Sequence, residues 1–179
     1  MADAISTTTE PPPDGEPAKV RVLFVCTGNI CRSPTAEGVF RRLVTQAGLD
    51  ATILTDSAGT GGWHVGQPPD SRSQATAKQR GVDLSGQRAR RVSSEDFQDF
   101  DYLVAMDRGH QQALLRLAPE GQEQQVHLLM SYAGDRTLLD VPDPYYGGVH
   151  GFDHVFDLIE RGCKGLLAHI RHQHLRKHA

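Results

Sequence analysis

Four short apolar runs punctuate the chain, and the stretches between them carry helical spacing or Gly/Pro-rich turns. "VRVLFV", Val20–Val25, is continuous and rich in β-branched residues, the pattern of a strand covered on both faces. Ala51–Thr55, Tyr102–Met106 and Val126–Met130 repeat that pattern and predict three further strands. The helical stretches have readable ends. Ser33-Pro34 suits the N-cap and first residue of a helix running to about Ala47 and closed by Gly48. Asp70 caps a predicted helix that reaches Arg80 and stops at Gly81. Ser93 or Ser94 starts a short helix, and Asp107 caps another that ends near Pro119. A last amphipathic helix, from about Gly151 into the tail, is expected to bury Phe152, Val155, Phe156, Ile159, Leu166, Leu167 and Ile170.

Strands alternating with helices predict an α/β domain on a parallel sheet with right-handed crossovers. Ligands of such sheets sit beyond the C-terminal ends of the strands. "DSAGTGGWHVGQPPD" reads as a Gly/Pro-rich loop leaving the second strand at that end. The connection Ser131–His150, about 20 residues without obvious structure, has the length of a functional lid.

Composition narrows the choice of function. The 179 residues are 38% hydrophobic and 23% charged with a net charge of −3, so nothing drives the whole chain toward nucleic acid or an anionic membrane. No apolar stretch approaches the roughly 20 residues of a membrane span. Residues 1–18 are rich in Pro, Thr and acid and are expected to be a disordered leader before a single domain at 19–179. That leader lacks the basic and apolar regions of a Sec signal peptide. Three cysteines, Cys26, Cys31 and Cys163, are too few for a disulfide scaffold and point to a reducing cytoplasm.

The chemistry gathers where the first strand ends, in "CTGNICRSP". Gly28 accepts any backbone angle, and Asn29 tolerates positive φ better than most residues. A strand–turn–helix containing both can curl the amides of Thr27, Gly28, Asn29, Ile30, Cys31, Arg32 and Ser33 inward as a cradle for a tetrahedral oxyanion. Arg32 would close its rim with a planar fork that matches two phosphate oxygens. The same positive field favours a thiolate at Cys26, and Ser33 could donate its hydroxyl to that sulfur. A cysteine ending a buried strand is by default a small hydrophobe; here every neighbouring offset is occupied as an anion nest requires. There is no Gly-Lys-Ser/Thr for a Walker loop, and Cys26 and Cys31 lack the spacing and second ligand pair of a zinc site. His169, His172 and His174 have no second cluster to complete a metal site, and they suit a helix C-terminus electrostatically.

A thiolate attacking a phosphomonoester needs an acid for the leaving group, and the cradle contains none. Asp143 lies in "DVPDPYYGG", inside the long connection, stiffened by Pro142 and Pro144 and flanked by Tyr145 and Tyr146. Asp140 is the nearby rival.

"VCTGNICRSP", "DSAGT" and "DPYYG", in that order, resemble the low-molecular-weight protein tyrosine phosphatases from about Val20 to the final helix. The resemblance implies a flavodoxin-like, phosphotyrosine protein phosphatase I-like fold: a four-stranded parallel sheet flanked by helices. It implies a metal-free, cofactor-free phosphomonoester hydrolase with Cys26 as nucleophile and Arg32 and Asp143 as the other catalytic groups. The expected partner is a phosphotyrosine-containing protein. Trp63, Tyr145 and Tyr146 would wall a cleft for a phenyl ring. Ser57 would support Asn29, and Cys31 would capture an oxidised Cys26 as a disulfide. Ile30 matches tyrosine-directed members, whereas phosphoarginine-directed relatives tend to have threonine there. Gln87 replaces a histidine found in many relatives. Related bacterial phosphatases suggest Tyr145 and Tyr146 as targets of a tyrosine kinase, and some are exported without a Sec signal. Arg88, Arg90 and Arg91 form a basic run that reads as a solvated face, with substrate docking as the alternative. An arsenate reductase would need more cysteines than Cys163 supplies, and a phosphate-binding module would need neither Cys26 nor Asp143.

Overall fold

The computed structural model describes residues 20–145 and 149–175. The predicted leader and Tyr146 lie outside the described residues. β1 (Val20–Cys26) pairs in parallel with a strand on each side, so Val22, Leu23, Phe24 and Val25 have no exposed surface. This accounts for the apolar run Val22–Val25, while Arg21 near the strand's start keeps partial exposure. On one side lies β2 (Ile53–Gly59), in register from Val20 opposite Ile53 to Cys26 opposite Gly59. On the other lies β3 (Tyr102–Ala105), followed by β4 (Val126–Leu128), giving the order β2-β1-β3-β4.

Alternation along β1 divides the core. Val20, Val22, Phe24 and Cys26 face α1 (Arg32–Gln46) and α5 (Val149–Ile170), where Phe24 meets Phe40 edge-on at 5.4 Å. Leu23 and Val25 face the other layer, with Phe97 of α3 (Asp96–Asp99) and Leu114 of α4 (Arg108–Leu117). α2 (Ser71–Gln79) packs on α1 and α5. The strand order reverses direction at β1, so the ligand crevice of such a sheet opens beyond Cys26.

Several boundaries differ from the sequence expectation. α1 starts at Arg32 with Cys31 at the N-cap, and Thr35 bonds the Cys31 carbonyl through its amide (3.3 Å) and hydroxyl (2.8 Å). Ser33 is therefore free of the cap. β2 continues through Asp56–Gly59, beyond the predicted end at Thr55, because it stays paired with β1 as far as Cys26. Gly59 allows that close approach: a Cβ there would lie 2.7 Å from the Thr27 carbonyl oxygen. β4 stops at Leu128, and the chain turns into a 3₁₀ segment, Leu129–Tyr132, that buries Leu129 and Met130.

Other signals act as expected. The Asp70 side chain accepts from the Arg72 amide, and that of Asp107 from the His110 amide. α5 buries all seven predicted apolar residues. Among the described residues no helix is long and apolar enough to cross a membrane.

Candidate active site

The turn after β1 has its carbonyls drawn outward. Those of Cys26 and Thr27 accept from the amides of Thr60 (2.8 Å) and Gly61 (2.9 Å), and that of Ile30 from Asp70 (2.8 Å). The Cys31 carbonyl is held by Thr35. In a trans peptide the N–H points opposite to its C=O. The amides of Thr27, Gly28, Cys31 and Arg32 are thereby turned to the inner side of the loop, over the end of β1. Asn29 makes the bend at φ 58°, the sole described non-glycine residue with positive φ.

Asn29 is also the hub of a buried network. Its Nδ2 donates to Ser33 Oγ (2.8 Å) and Ser57 Oγ (3.0 Å), and its Oδ1 accepts from the Arg90 amide (3.0 Å). Ser33 Oγ lies 3.0 Å from Cys26 Sγ. Ser57 Oγ donates to Glu37 Oε1 at 2.6 Å, and Arg41 holds Glu37 Oε2 at 2.6 Å. Burial pushes the Glu37 carboxyl above its ordinary range, so the hydrogen bonds from Ser57 and Arg41 are what favour its charge. A continuous chain of contacts thus runs from the sulfur through Ser33, Asn29 and Ser57 to Glu37.

Arg32 is almost wholly buried. Its Nη1 donates to Asp107 Oδ2 (2.8 Å) and to the Val141 carbonyl (2.9 Å), while Nη2 lies 3.6 Å from Asp143 Oδ2. Asp143 Oδ1 accepts from the Tyr145 amide at 3.0 Å. The carboxylate is 43% exposed, at the edge of a cavity of about 370 Å³. Cys26, Thr27, Gly28 and Cys31 form the floor of that cavity. Its walls include Ile30, Trp63, His64 and Tyr145, with Trp63 73% exposed. The guanidinium of Arg72 lies 5.3 Å over the Tyr145 ring, a cation–π contact.

The structure therefore brings Cys26 and Asp143 to one cleft, with Trp63 and Tyr145 at its mouth. Arg32 does not line it but is buried next to Asp143, and Ser33, Asn29 and Ser57 are linked behind Cys26. Burial pushes the Cys31 thiol up to about 12, which keeps it protonated at neutral pH. Arg90 is not a free docking cation. It pairs with Asp56 and Asp96, each at 3.1 Å.

Residues 21–177 match the family model described as "Low molecular weight phosphotyrosine protein phosphatase". The chain belongs to that family. By family it is a protein-tyrosine-phosphatase, a hydrolase. A low molecular weight protein-tyrosine-phosphatase of Streptomyces coelicolor is 50% identical over 159 residues, covering 86% of this chain and 94% of the relative. YfkJ of Bacillus subtilis, bearing the same description, is 46% identical over 152 residues, covering 85% and 96%. The crystal structure of YfkJ superposes with a TM-score of 0.83 at 44% identity, covering 89% of this chain and 99% of that one. A protein tyrosine phosphatase from Entamoeba histolytica, solved with Hepes in its active site, also gives 0.83, at 39% identity and 87% and 99% coverage.

Three phosphatase residues escaped the sequence reading. Glu37 had a local signal, a carboxylate on the buried Ala36–Val39–Phe40 face of α1. Asp107 was read only as a helix cap, although its second oxygen holds Arg32. His110, buried against Thr27, carried no local signal. Gln87 donates to the Pro34 carbonyl at 3.0 Å, touching the first turn of α1.

Proposed function

We propose that this phosphatase hydrolyses phosphotyrosine in proteins, and small aryl phosphates, through a cysteinyl-phosphate at Cys26. The observation that carries the proposal is the shared cleft, in which Cys26 forms the floor, Asp143 the edge and Trp63 and Tyr145 the mouth. In the first step the Cys26 sulfur attacks phosphorus, and Asp143 gives its proton to the departing phenolate oxygen. In the second, Asp143 takes a proton from water, which attacks the phosphocysteine and releases phosphate. The inward amides and Arg32 stabilise the equatorial oxygens in both transition states. The hydroxyl of Ser33, oriented by Asn29, can donate to the sulfur as it departs. A phosphoryl group entering the cleft would take over Arg32 Nη2 from Asp143, freeing the acid for the leaving group.

The two aromatic residues lining the cleft, Trp63 and Tyr145, favour a phenyl phosphate over the shorter phosphoserine. Cys31, in the same loop as Cys26, is proposed to protect it by disulfide formation when Cys26 is oxidised. Rapid acid quench of the Asp143→Ala variant reacting with p-nitrophenyl phosphate is expected to trap phosphate covalently on Cys26. Undiminished turnover by Cys26→Ser, or phosphate trapped on another residue, would overturn the mechanism. Asp143→Ala used as a trap in cell extract identifies the protein substrates.

A further inference from the structure

Behind the cleft lies a buried imidazole to which the mechanism above assigns no task. His110 is in the first turn of α4, where side chains lean back toward the helix N-terminus and so over Asp107. Its Nε2 is 2.7 Å from Thr27 Oγ1 and 3.5 Å from Arg32 Nη2, and its Nδ1 is 3.1 Å from Asp107 Oδ1. Asp107 in turn accepts the His110 amide on Oδ1 and Arg32 Nη1 on Oδ2.

We infer that His110 is a positioning residue of this site: one acceptor nitrogen holds Thr27 of the cradle and faces Arg32, so that the two anion-binding elements keep a fixed separation.

The donor inventory decides which nitrogen does this. A guanidinium only donates, so the nitrogen facing Arg32 must be the unprotonated one. Nε2 is therefore the acceptor, the Thr27 hydroxyl donates to it, and the ring proton sits on Nδ1, which lies 3.1 Å from Asp107 Oδ1 but out of line for a hydrogen bond. The charged groups around the ring come from three segments: Arg32 from the turn after β1, Asp107 from the start of α4, and Asp140 and Asp143 from the segment before α5. Burial first, and then the Arg32 charge, hold the imidazole down to about 4, so the neutral form that can accept is the one present at neutral pH. The ring is 5% exposed, so little water reaches its nitrogens, whereas Thr27 itself stands at the exposed surface of the cradle. Removing the ring would release the exposed Thr27 side chain to other rotamers and leave one face of the buried Arg32 without its neighbour.

The inference rests on the phosphatase reading, and its test separates the two. Three proteins are compared: wild type, His110→Met, which keeps volume but offers no comparable acceptor, and His110→Gln, whose amide oxygen reaches to about where Nε2 stands. With p-nitrophenyl phosphate, His110→Met is expected to lose about tenfold in kcat/KM and a similar factor in competitive inhibition by vanadate. His110→Gln is expected to recover most of both losses. Thr27→Val, alone and combined with His110→Met, is expected to show strong non-additivity, because each variant removes the same hydrogen bond. Equal losses in the Met and Gln variants in proportion to their Tm, or additive effects with Thr27→Val, would show that the ring merely fills space. If His110→Met does not fold, His110→Leu, which also lacks an acceptor, takes its place in the cycle with Thr27→Val. Absence of hydrolysis in the wild type would overturn the phosphatase reading, whereas wild-type kinetics and inhibition in His110→Met would overturn this inference alone.

Discussion

Arg108 grips Asp140 in a two-pronged ion pair: Nη2 lies 2.8 Å from Oδ2, Nε 3.2 Å from each oxygen, and the Arg108 amide donates to Oδ1 at 2.9 Å. One residue on, the Val141 amide donates to the Met106 carbonyl at 2.8 Å. These contacts fasten the chain that enters the acid loop to the start of α4. The hydrogen bonds from Arg108 hold the Asp140 carboxyl below the usual carboxylate range, so it stays ionised at neutral pH and serves as an anchor. Asp140→Ala is predicted to slow a poor leaving group such as phenyl phosphate by about tenfold and a good one such as p-nitrophenyl phosphate much less. Asp143→Ala is predicted to slow the poor one by roughly 10²–10⁴-fold. Rate constants across a series of phenols of graded acidity check both.

Asn29 is strained and indispensable for different reasons, which substitutions can separate. Asn29→Ala leaves a Cβ residue at φ 58° without the local hydrogen bonding asparagine offers, costing roughly 1–2 kcal/mol, and removes three hydrogen bonds. Asn29→Gly removes the same bonds but relaxes the backbone. The glycine variant is predicted to have the higher denaturation midpoint of the two. Both are predicted to show a similarly reduced kcat, because Ser33 loses the same donor. Urea titration and steady-state kinetics provide the comparison.

Acid should destabilise the fold through His110. The group is near 6.5 when unfolded and is held down to about 4 when folded, so the unfolded chain takes up a proton first as pH falls. Its contribution is complete above pH 6.5 and is lost progressively between 6.5 and about 4. Removing the imidazole is therefore predicted to flatten the pH dependence of Tm in that window. His127 and His169, both lowered by burial, remain in either protein and cancel in the comparison of wild type with His110→Gln.

Gly165 is predicted to be a stability position with no part in the chemistry. A Cβ there would fall on the Tyr132 carbonyl, since α5 presses backbone to backbone on the 3₁₀ segment. Gly165→Ala is expected to cost about 1–3 kcal/mol or more, with kcat of the folded fraction unchanged. Thermal unfolding beside active-site titration checks this.

The parts legible in the sequence were those whose causes are local. β1 reads as a strand because both of its faces are covered, and the cradle reads as an anion site because Gly28, Asn29, Arg32 and the start of α1 are contiguous. The second half of β2 did not, since Asp56 and Ser57 look like loop residues until their partners Arg90 and Asn29 are seen. Ser33 reads as a cap from its proline neighbour, yet its hydroxyl belongs to the sulfur and to Asn29. His110 and Asp107 act on a loop about 80 residues away along the chain, and only the parallel sheet brings strand ends that far apart into contact.

Trp63 is the chain's only tryptophan, and its indole stands largely in water at the rim of the cleft. Any ring that slots in beside it exchanges that water for a stacked neighbour. The enzyme thus carries its own optical gauge, one whose emission should track occupancy of the pocket in unlabelled protein, turnover or not.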